Sequence, residues 1–226
     1  MSITRTGLLV FALSFVPLQV SASPGDPENQ EELVQELEKT YEDVTSVKAD
    51  FEQVQRSVMG EVSQKGKLSI KRPKMARWEF VGPSASVMVT NGETVWVYTP
   101  ATQQVIETTN IGKGDGVMQL LDDLSKLEEH FEVARFEQPG EGESRRYLVE
   151  LIPRDTANYK RIIVEFTRRK YYLHRIVVVD AMDGEIELTF SNVEYVNGKD
   201  SPDKDLPDSI FDFVPPPDTQ VIKGGL

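Results

Sequence analysis

The spacing of apolar residues changes once along the chain, and this change separates a helix from a long series of strands. A helix is predicted over residues 31–45, because apolar residues recur there every three or four positions and so share one face. The residues on this face are Leu33, Leu37, Tyr41 and Val44. Beyond the helix, apolar and polar residues alternate, which is typical of strands with one buried face. The pattern therefore predicts a mainly β protein with an amphipathic helix before the strands.

A β-hairpin is predicted around Asn91-Gly92, because Asn-Gly between two β-rich segments favours a two-residue turn. Such a turn pairs Met88 with Val95 and Val87 with Trp96. One face of the hairpin then carries Val87, Val89, Trp96 and Tyr98, and the other carries Met88, Val95 and Val97. Both faces are apolar, so both need a covering layer.

The remaining strands are predicted from the same alternation and from the turn residues between them. They cover residues 47–52, 62–72, 76–80, 131–136, 146–152, 161–166, 173–179, 185–191 and 210–214. A short helix over residues 115–123, which Asp115 can cap, interrupts the series. With the hairpin the total is about eleven strands. A single antiparallel sheet of that width is expected to curl into a barrel or partial barrel, with the amphipathic helices covering its open side.

The first 22 residues have the composition of a secretory signal peptide. Arg5 supplies the positive start, residues 7–18 form an apolar segment, and Val20-Ser21-Ala22 predicts cleavage after Ala22. A membrane anchor is the alternative, but the apolar segment is shorter than the roughly 20 residues that span a bilayer. We therefore expect a bacterial export signal that directs residues 23–226 to the periplasm as a single soluble domain.

Cleavage would leave an acidic chain of about 204 residues. Its leader, residues 23–30, holds two prolines and a glycine and is expected to be flexible. With 24 Lys and Arg against 37 Asp and Glu, the mature chain has a net charge of −13, which argues against nucleic acid and anionic lipid headgroups as partners. The sequence has no cysteine, which excludes disulfides, Cys-ligated metals, a thiol nucleophile and an acyl anchor on cysteine.

The motifs contain no catalytic set and no metal-binding set, so we expect neither an enzyme nor a cofactor. His130 and His174 belong to no metal-binding pair and are interpreted as surface or structural residues. The glycine-rich residues 112–116 lack the strand–helix context of a phosphate-binding loop and are interpreted as a loop before a helix cap. The acidic residues between 180 and 185 lack the spacing of a calcium loop.

Arg72 departs from the polarity pattern of its own strand. It shares the phase of Leu68 and Ile70, so its side chain begins on the apolar face. A buried charge needs partners, and a guanidinium can donate hydrogen bonds to the free carbonyls at the C-terminal end of a covering helix. Two interpretations follow. Arg72 is a latch between the sheet and a helical lid, or it extends to water at the end of its strand, before Pro73.

Six short motifs occur in an order that matches a known family. The two longest are residues 71–80, where Arg-Pro precedes a Trp, and residues 91–100, which read Asn-Gly-Glu-Thr-Val-Trp-Val-Tyr-Thr-Pro. The others are Phe51-Glu52-Gln53, Leu151-Ile152-Pro153, residues 180–184, and Phe211 and Phe213 followed by Pro215-Pro216. Together they resemble the periplasmic outer-membrane lipoprotein carrier family, LolA, and the resemblance covers about residues 33–222.

The resemblance implies an eleven-stranded antiparallel half-barrel, that is, an incomplete β-barrel closed by a helical lid. It implies a periplasmic chaperone whose hydrophobic cavity takes the acyl chains of lipoprotein cargo. An inner-membrane ATP-driven transporter would release this cargo, and an outer-membrane lipoprotein receptor of similar fold would receive it. The receptor carries an acylated cysteine, so this cysteine-free chain resembles the soluble carrier, expected to be a monomer. In the family the arginine of the Arg-Pro motif holds the lid closed, a role that falls on Arg72.

One position departs from the family pattern, because Ala76 stands where a bulky aromatic usually precedes the Trp by two residues. Either Met75 and Phe80 supply the apolar surface, or the handover of cargo differs in detail. Two other classes of protein are alternatives to the carrier. A periplasmic module that senses lipid or lipoprotein without carrying it usually has an added domain or membrane segment, and a secreted hydrolase needs a nucleophile and a base.

The candidate lipid-binding residues are apolar positions of the helices and of the sheet face expected to be concave. Periodicity separates the two faces of a strand without saying which is concave, so the alternative for each residue is a closed core. On the helical lid the candidates are Leu33, Leu37 and Leu121, and on the sheet they are Phe51, Met75, Trp78, Val89, Trp96, Ile186 and Leu188.

Overall fold

A computed structural model describes residues 26–109, 120, 124–155, 159–199 and 201–224. The predicted signal peptide, the candidate Leu121 and most of the helix predicted over 115–123 lie outside these residues. Helices α1 and α2 run over Gln30–Tyr41 and Leu127–His130. The strands are β1 (Val44–Ser57), β2 (Gly60–Lys71), β3 (Met75–Val81), β4 (Ser86–Asn91), β5 (Val95–Thr99), β6 (Gln104–Thr108), β7 (Phe131–Glu137), β8 (Arg146–Pro153), β9 (Tyr159–Thr167), β10 (Leu173–Asp180), β11 (Glu185–Asn197) and β12 (Gln220–Lys223).

The twelve strands form one open sheet in the order β12-β6-β5-β4-β3-β2-β1-β11-β10-β9-β8-β7. Within the described residues, β12 alone pairs in parallel, with β6, and the other neighbours are antiparallel. The predicted mainly β half-barrel is confirmed, with twelve strands instead of eleven. The long central strands β1 and β11 join the two halves of the sheet.

Helix α1 begins with a cap and ends earlier than predicted. The Asn29 side-chain oxygen accepts a hydrogen bond from the Glu32 backbone N–H at 3.0 Å, which satisfies one of the free donors at the start of the helix. The helix ends at Tyr41, so Val44 begins β1 and does not continue the apolar face of the helix. Val44 and Thr45 are β-branched, which favours a strand over a further helical turn.

The predicted hairpin is present, but its register is shifted by two residues. Val89 pairs with Trp96 and Thr90 with Val95, so the two-residue turn is Gly92-Glu93. Gly92 takes a φ of 92°, which suits the first position of such a turn. Because strands alternate with a period of two, a shift of two residues leaves the predicted composition of each face intact.

The strand predicted over residues 210–214 is wrong, and the strands β6 and β12 were not predicted. Residues Asp208–Phe211 form a short 3-10 helix instead. Prolines flank this segment, and Phe211 is buried against the sheet rather than paired as a strand. The chain then returns to the sheet edge at β12, whose side chains are all exposed, which removes the alternation from which a strand is predicted.

Two apolar layers cover the two faces of the sheet. The face that packs against α1, called the inner face, holds the main core, with Phe51, Leu68 and Trp78 buried beside Leu33 and Leu37 of the helix. The opposite, outer face is covered in part by the segment after β11. Here the ring of Phe213 lies 6.4 Å from Trp96 and 5.9 Å from Tyr98, measured between ring centroids.

Candidate functional site

A small apolar cavity lies between the C-terminal end of α1 and the inner face. Its volume is about 20 Å³, which is close to the space that one water molecule needs. An acyl chain therefore requires α1 or another covering segment to move away from the sheet. The residues around the cavity are Tyr41, Val44, Thr45, Ser46, Val47, Ala49, Leu68, Ile70, Arg72, Leu124, Leu173, Phe190, Val193 and Tyr195.

Arg72 connects the sheet to the end of the covering helix. Its side-chain Nη1 donates a hydrogen bond to the backbone carbonyl of Tyr41 at 2.7 Å. Tyr41 is the last residue of α1, so its carbonyl has no partner within the helix. The backbone N–H of Arg72 also donates to the carbonyl of Thr45 at 2.8 Å. Of the two interpretations of Arg72 that the sequence left open, the structure shows the contact with a helix-end carbonyl.

The side chain of Tyr41 supplies a second attachment at the same point. Its hydroxyl donates to the carbonyl of Tyr171 at 2.9 Å and lies 3.0 Å from the hydroxyl of Tyr195. The backbone N–H of Leu173 donates to both phenol oxygens, at 3.2 and 3.0 Å. Burial raises the pKa of Tyr41 well above its usual value and raises the pKa of Tyr195 to about 12. Both phenols are therefore protonated at neutral pH and serve as donors.

The polar role of Tyr41 was not predicted from the sequence, which placed it only on an apolar helix face. A signal was available, because a tyrosine on a buried face needs a partner for its hydroxyl. The identity of that partner depends on the sheet, since Tyr171 is 130 residues and Tyr195 154 residues away in the chain.

The opposite end of α1 is held by a buried carboxylate. Asp26 accepts hydrogen bonds from Arg168 Nε at 2.9 Å, from Arg145 Nη1 at 3.1 Å and from the Tyr147 hydroxyl at 3.1 Å. The hydrogen bond from Arg168 is the main reason that the pKa of Asp26 lies below its ordinary value of 3.8. The described part of the leader, expected to be flexible, is thus attached to β8 and to the end of β9, and Pro27 is buried.

The structure divides the predicted lipid-binding residues between the two faces of the sheet. Leu33, Leu37, Phe51, Trp78 and Leu188 are buried in the inner core. Ile186 has the phase of Leu188 on the inner face and is 36% exposed. Contact of these residues with cargo remains a prediction.

Met75, Val89 and Trp96 lie on the outer face, opposite to the concave side on which they were predicted. Arg77 pairs with Val89, which pairs with Trp96, and this row faces away from Trp78. Met75 has the phase of Arg77. The error has a simple cause, since both faces of the hairpin are apolar and the C-terminal segment covers the outer one.

The inner face continues beyond the cavity as a half-buried apolar surface. Phe80 and Met88 pack against the edge of the core, and Val97 and Ile106 extend the same row across β5 and β6. The apolar lining of the inner face therefore extends from the cavity at the central strands out to β6.

Neither a metal site nor a membrane helix is found in the described part of the chain. No group of three or more His, Asp or Glu side chains there is placed to hold a metal ion. Helices α1 and α2 are both too short to cross a bilayer, and the described residues contain no other apolar helix of spanning length.

An open, almost entirely antiparallel sheet, with an apolar inner face covered by a helix, defines a half-barrel protein. This chain belongs to the outer membrane lipoprotein carrier protein LolA family, whose family model matches residues 42–213. The family consists of carriers rather than enzymes.

Curated relatives carry the name of this family, and a solved structure shares the fold. The outer-membrane lipoprotein carrier protein of Idiomarina loihiensis is 31% identical over 82% of this chain and 84% of its own length. The corresponding protein of Azotobacter vinelandii is 26% identical over 95% of this chain and 97% of its own length. The crystal structure of an uncharacterized conserved protein from Thermus thermophilus has the same fold, with a TM-score of 0.51 at 14% identity, over 86% of this chain and 98% of its own.

Proposed function

We propose that this protein is a periplasmic chaperone that shelters the acyl chains of lipoproteins between α1 and the inner face of the sheet. It accepts them from an inner-membrane ATP-driven transporter and delivers them to an outer-membrane lipoprotein receptor. The observation that carries the proposal is the small apolar cavity under the end of α1, with Arg72 donating to the last carbonyl of that helix. The carrier names of its relatives support lipoproteins as the cargo. The two partners are proposed from the resemblance to the family.

The energies support reversible loading. A hydrogen bond from a charged group contributes roughly 1.5–3 kcal/mol, and each buried methylene group of an acyl chain contributes about 0.8 kcal/mol. Burying roughly two to four methylene groups therefore offsets the loss of the Arg72 hydrogen bond. The latch lowers the net affinity for cargo without preventing its uptake, which is what a carrier needs in order to release it again.

The absence of cysteine separates the carrier from its receptor. The family's receptor carries an acylated cysteine, and this sequence contains no residue to which such an anchor could be attached. This supports a protein that moves between the two membranes and favours the carrier over an anchored receptor.

The decisive experiment follows the delivery of a purified lipoprotein. Arg72→Leu is expected to fold and to take up lipoprotein from inner-membrane vesicles, but to transfer at least tenfold less of it to the receptor, because no latch opposes retention. Arg77→Leu is the matched control, since Arg77 is also half-buried on the next strand but faces outward. Normal delivery by Arg72→Leu would disprove the latch, and failure of the wild-type protein to take up lipoprotein would disprove the carrier function itself.

A further inference from the structure

Fully exposed apolar side chains protrude from one end of the sheet. Val58 and Met59, at the tip of the β1–β2 hairpin, are 101% and 94% exposed. The tip is closed by the pairing of Ser57 with Gly60. Val81, at the end of β3, belongs to the next turn at this end of the sheet and is 59% exposed. Because Val58 and Met59 protrude side by side at one tip, rather than singly, they indicate a contact surface.

Three of the turns at this end have an unusual charge distribution. Residues 57–60, 81–86 and 99–103, which join β1 to β2, β3 to β4 and β5 to β6, contain no charged side chain, although 27% of the whole sequence is charged. We call these three turns the uncharged edge. The β10–β11 turn lies at the same end, since Glu185 pairs with Arg56 beside the hairpin tip, but it carries Asp180 and Asp183.

The register makes this edge continuous with the apolar inner face. Val62 is 59% exposed near the tip and has the same strand phase as Leu68, which is buried in the inner core. The cavity and Arg72 lie toward the other end of β2. A surface that touches the hairpin tip therefore also lies next to Val62, the exposed end of the apolar row that continues into the inner core.

We infer that the uncharged edge contacts the headgroup–acyl boundary of a zwitterionic phospholipid bilayer. A protein of this acidity is repelled by anionic surfaces, so it approaches a membrane most easily through a part that carries no charge. Charged side chains resist dehydration, whereas protruding Val58 and Met59 gain from it. The contact is with the bilayer itself, so it stands separately from the proposed carriage of lipoproteins.

The cysteine-free sequence allows a site-specific test, because any introduced cysteine is unique. Val58→Cys, Met182→Cys and Val214→Cys would each carry an environment-sensitive fluorophore and be mixed with phosphatidylcholine vesicles. All three native side chains are more than 80% exposed, but Met182 lies in the acidic β10–β11 turn. Val214 lies outside the three turns, next to Phe213, which packs on the outer face of the sheet. We expect the emission of the label at residue 58 to shift to the blue and to rise at least threefold, with smaller or no changes at the controls.

A charge-insertion variant tests the same contact without a label. Val58→Asp/Met59→Asp should reduce the fraction of protein that floats with phosphatidylcholine vesicles at least tenfold, whereas Val214→Asp should leave it unchanged. Unfolding midpoints in urea verify that both variants fold. Equal flotation of the two variants, equal shifts at all three labels, or no shift at residue 58 would overturn the inference. A shift seen with native inner-membrane vesicles but not with pure lipid would also overturn it and assign the edge to a protein.

Discussion

At the scale of single residues, Gly66 shows how close packing on the inner face depends on the absence of a side chain. A Cβ atom at this position would lie 2.3 Å from the carbonyl oxygen of Glu79 and 2.6 Å from Cζ of Phe51. Phe51 in turn makes edge-to-face contacts with Trp78 and Phe80, with ring centroids 5.1 and 5.2 Å apart. The glycine therefore leaves room for the rings of Phe51 on β1 and Phe80 on β3 to meet above β2.

Gly66→Ala is expected to destabilise the protein by about 1–3 kcal/mol, because the added methyl group forces Phe51 or the backbone of β3 to move. The measurement is the urea midpoint of unfolding, followed by the fluorescence of Trp78 and Trp96. Ser63→Ala, an exposed change on the same strand, is the control and should leave the midpoint within error. An unchanged midpoint for Gly66→Ala would show that the aromatic cluster can shift to admit the methyl group without loss of stability.

Tyr41→Phe isolates the hydroxyl that anchors the end of α1. The substitution leaves the ring in place but removes the donor to the Tyr171 carbonyl and one acceptor for the Leu173 N–H. We expect a loss of about 1–2 kcal/mol in the free energy of unfolding. Tyr98→Phe, on the outer face, is the control for removing a tyrosine hydroxyl away from the helix. If the two variants have the same stability, the hydroxyl of Tyr41 contributes nothing to holding the helix.

At the scale of elements, α1 is attached at both of its ends. Asp26 and its partners hold the N-terminal side, and Tyr41 with Arg72 holds the C-terminal side. The two attachments differ chemically. The first is an ion-paired carboxylate, whereas the second consists of a cation–carbonyl bond and neutral phenols. Acid should therefore weaken the first and leave the second unchanged.

Asp26→Asn tests the acid sensitivity of the N-terminal attachment. The folded-state pKa of Asp26 is lowered below 3.8, so its stabilising effect is complete above that pH and is lost as the pH falls through the folded pKa. The wild-type protein should be more stable than Asp26→Asn at pH 6, and the difference should shrink below about pH 4. Urea midpoints at several pH values give the comparison, with the exposed Asp212→Asn as control. A difference independent of pH would contradict the ion-pair explanation.

At the scale of the whole molecule, features set by the local sequence could be predicted, whereas contacts between distant parts of the chain could not. The phase of Arg72 and the free carbonyls of a helix end are local properties, so their contact could be proposed from the sequence as one of two alternatives. The Asp26 attachment could not, because Arg145 and Arg168 are 119 and 142 residues away from it in the chain. The placement of Val89 and Trp96 also failed, since alternation distinguishes two faces but not the layer that covers each.

Because the cavity is too small for an acyl chain, cargo affinity should depend on an equilibrium between this closed form of the molecule and an open form that admits the chain. An acyl ligand binds only the open form. Its apparent affinity is therefore the affinity of the open form multiplied by the fraction of molecules that are open. Arg72→Leu removes one charge-assisted hydrogen bond from the closed form. At about 1.4 kcal/mol for each factor of ten in an equilibrium constant, loss of a bond worth roughly 1.5–3 kcal/mol predicts at least tenfold tighter binding.

A fluorescent fatty acid titrated into purified protein measures this change directly. The Kd of Arg72→Leu should fall about tenfold relative to the wild type, and Arg77→Leu should bind as the wild type does. An equal Kd for all three proteins would mean that Arg72 does not hold the closed form. A weaker affinity for Arg72→Leu would instead mean that Arg72 shapes the ligand site, since removal of a latch can only favour the form that binds.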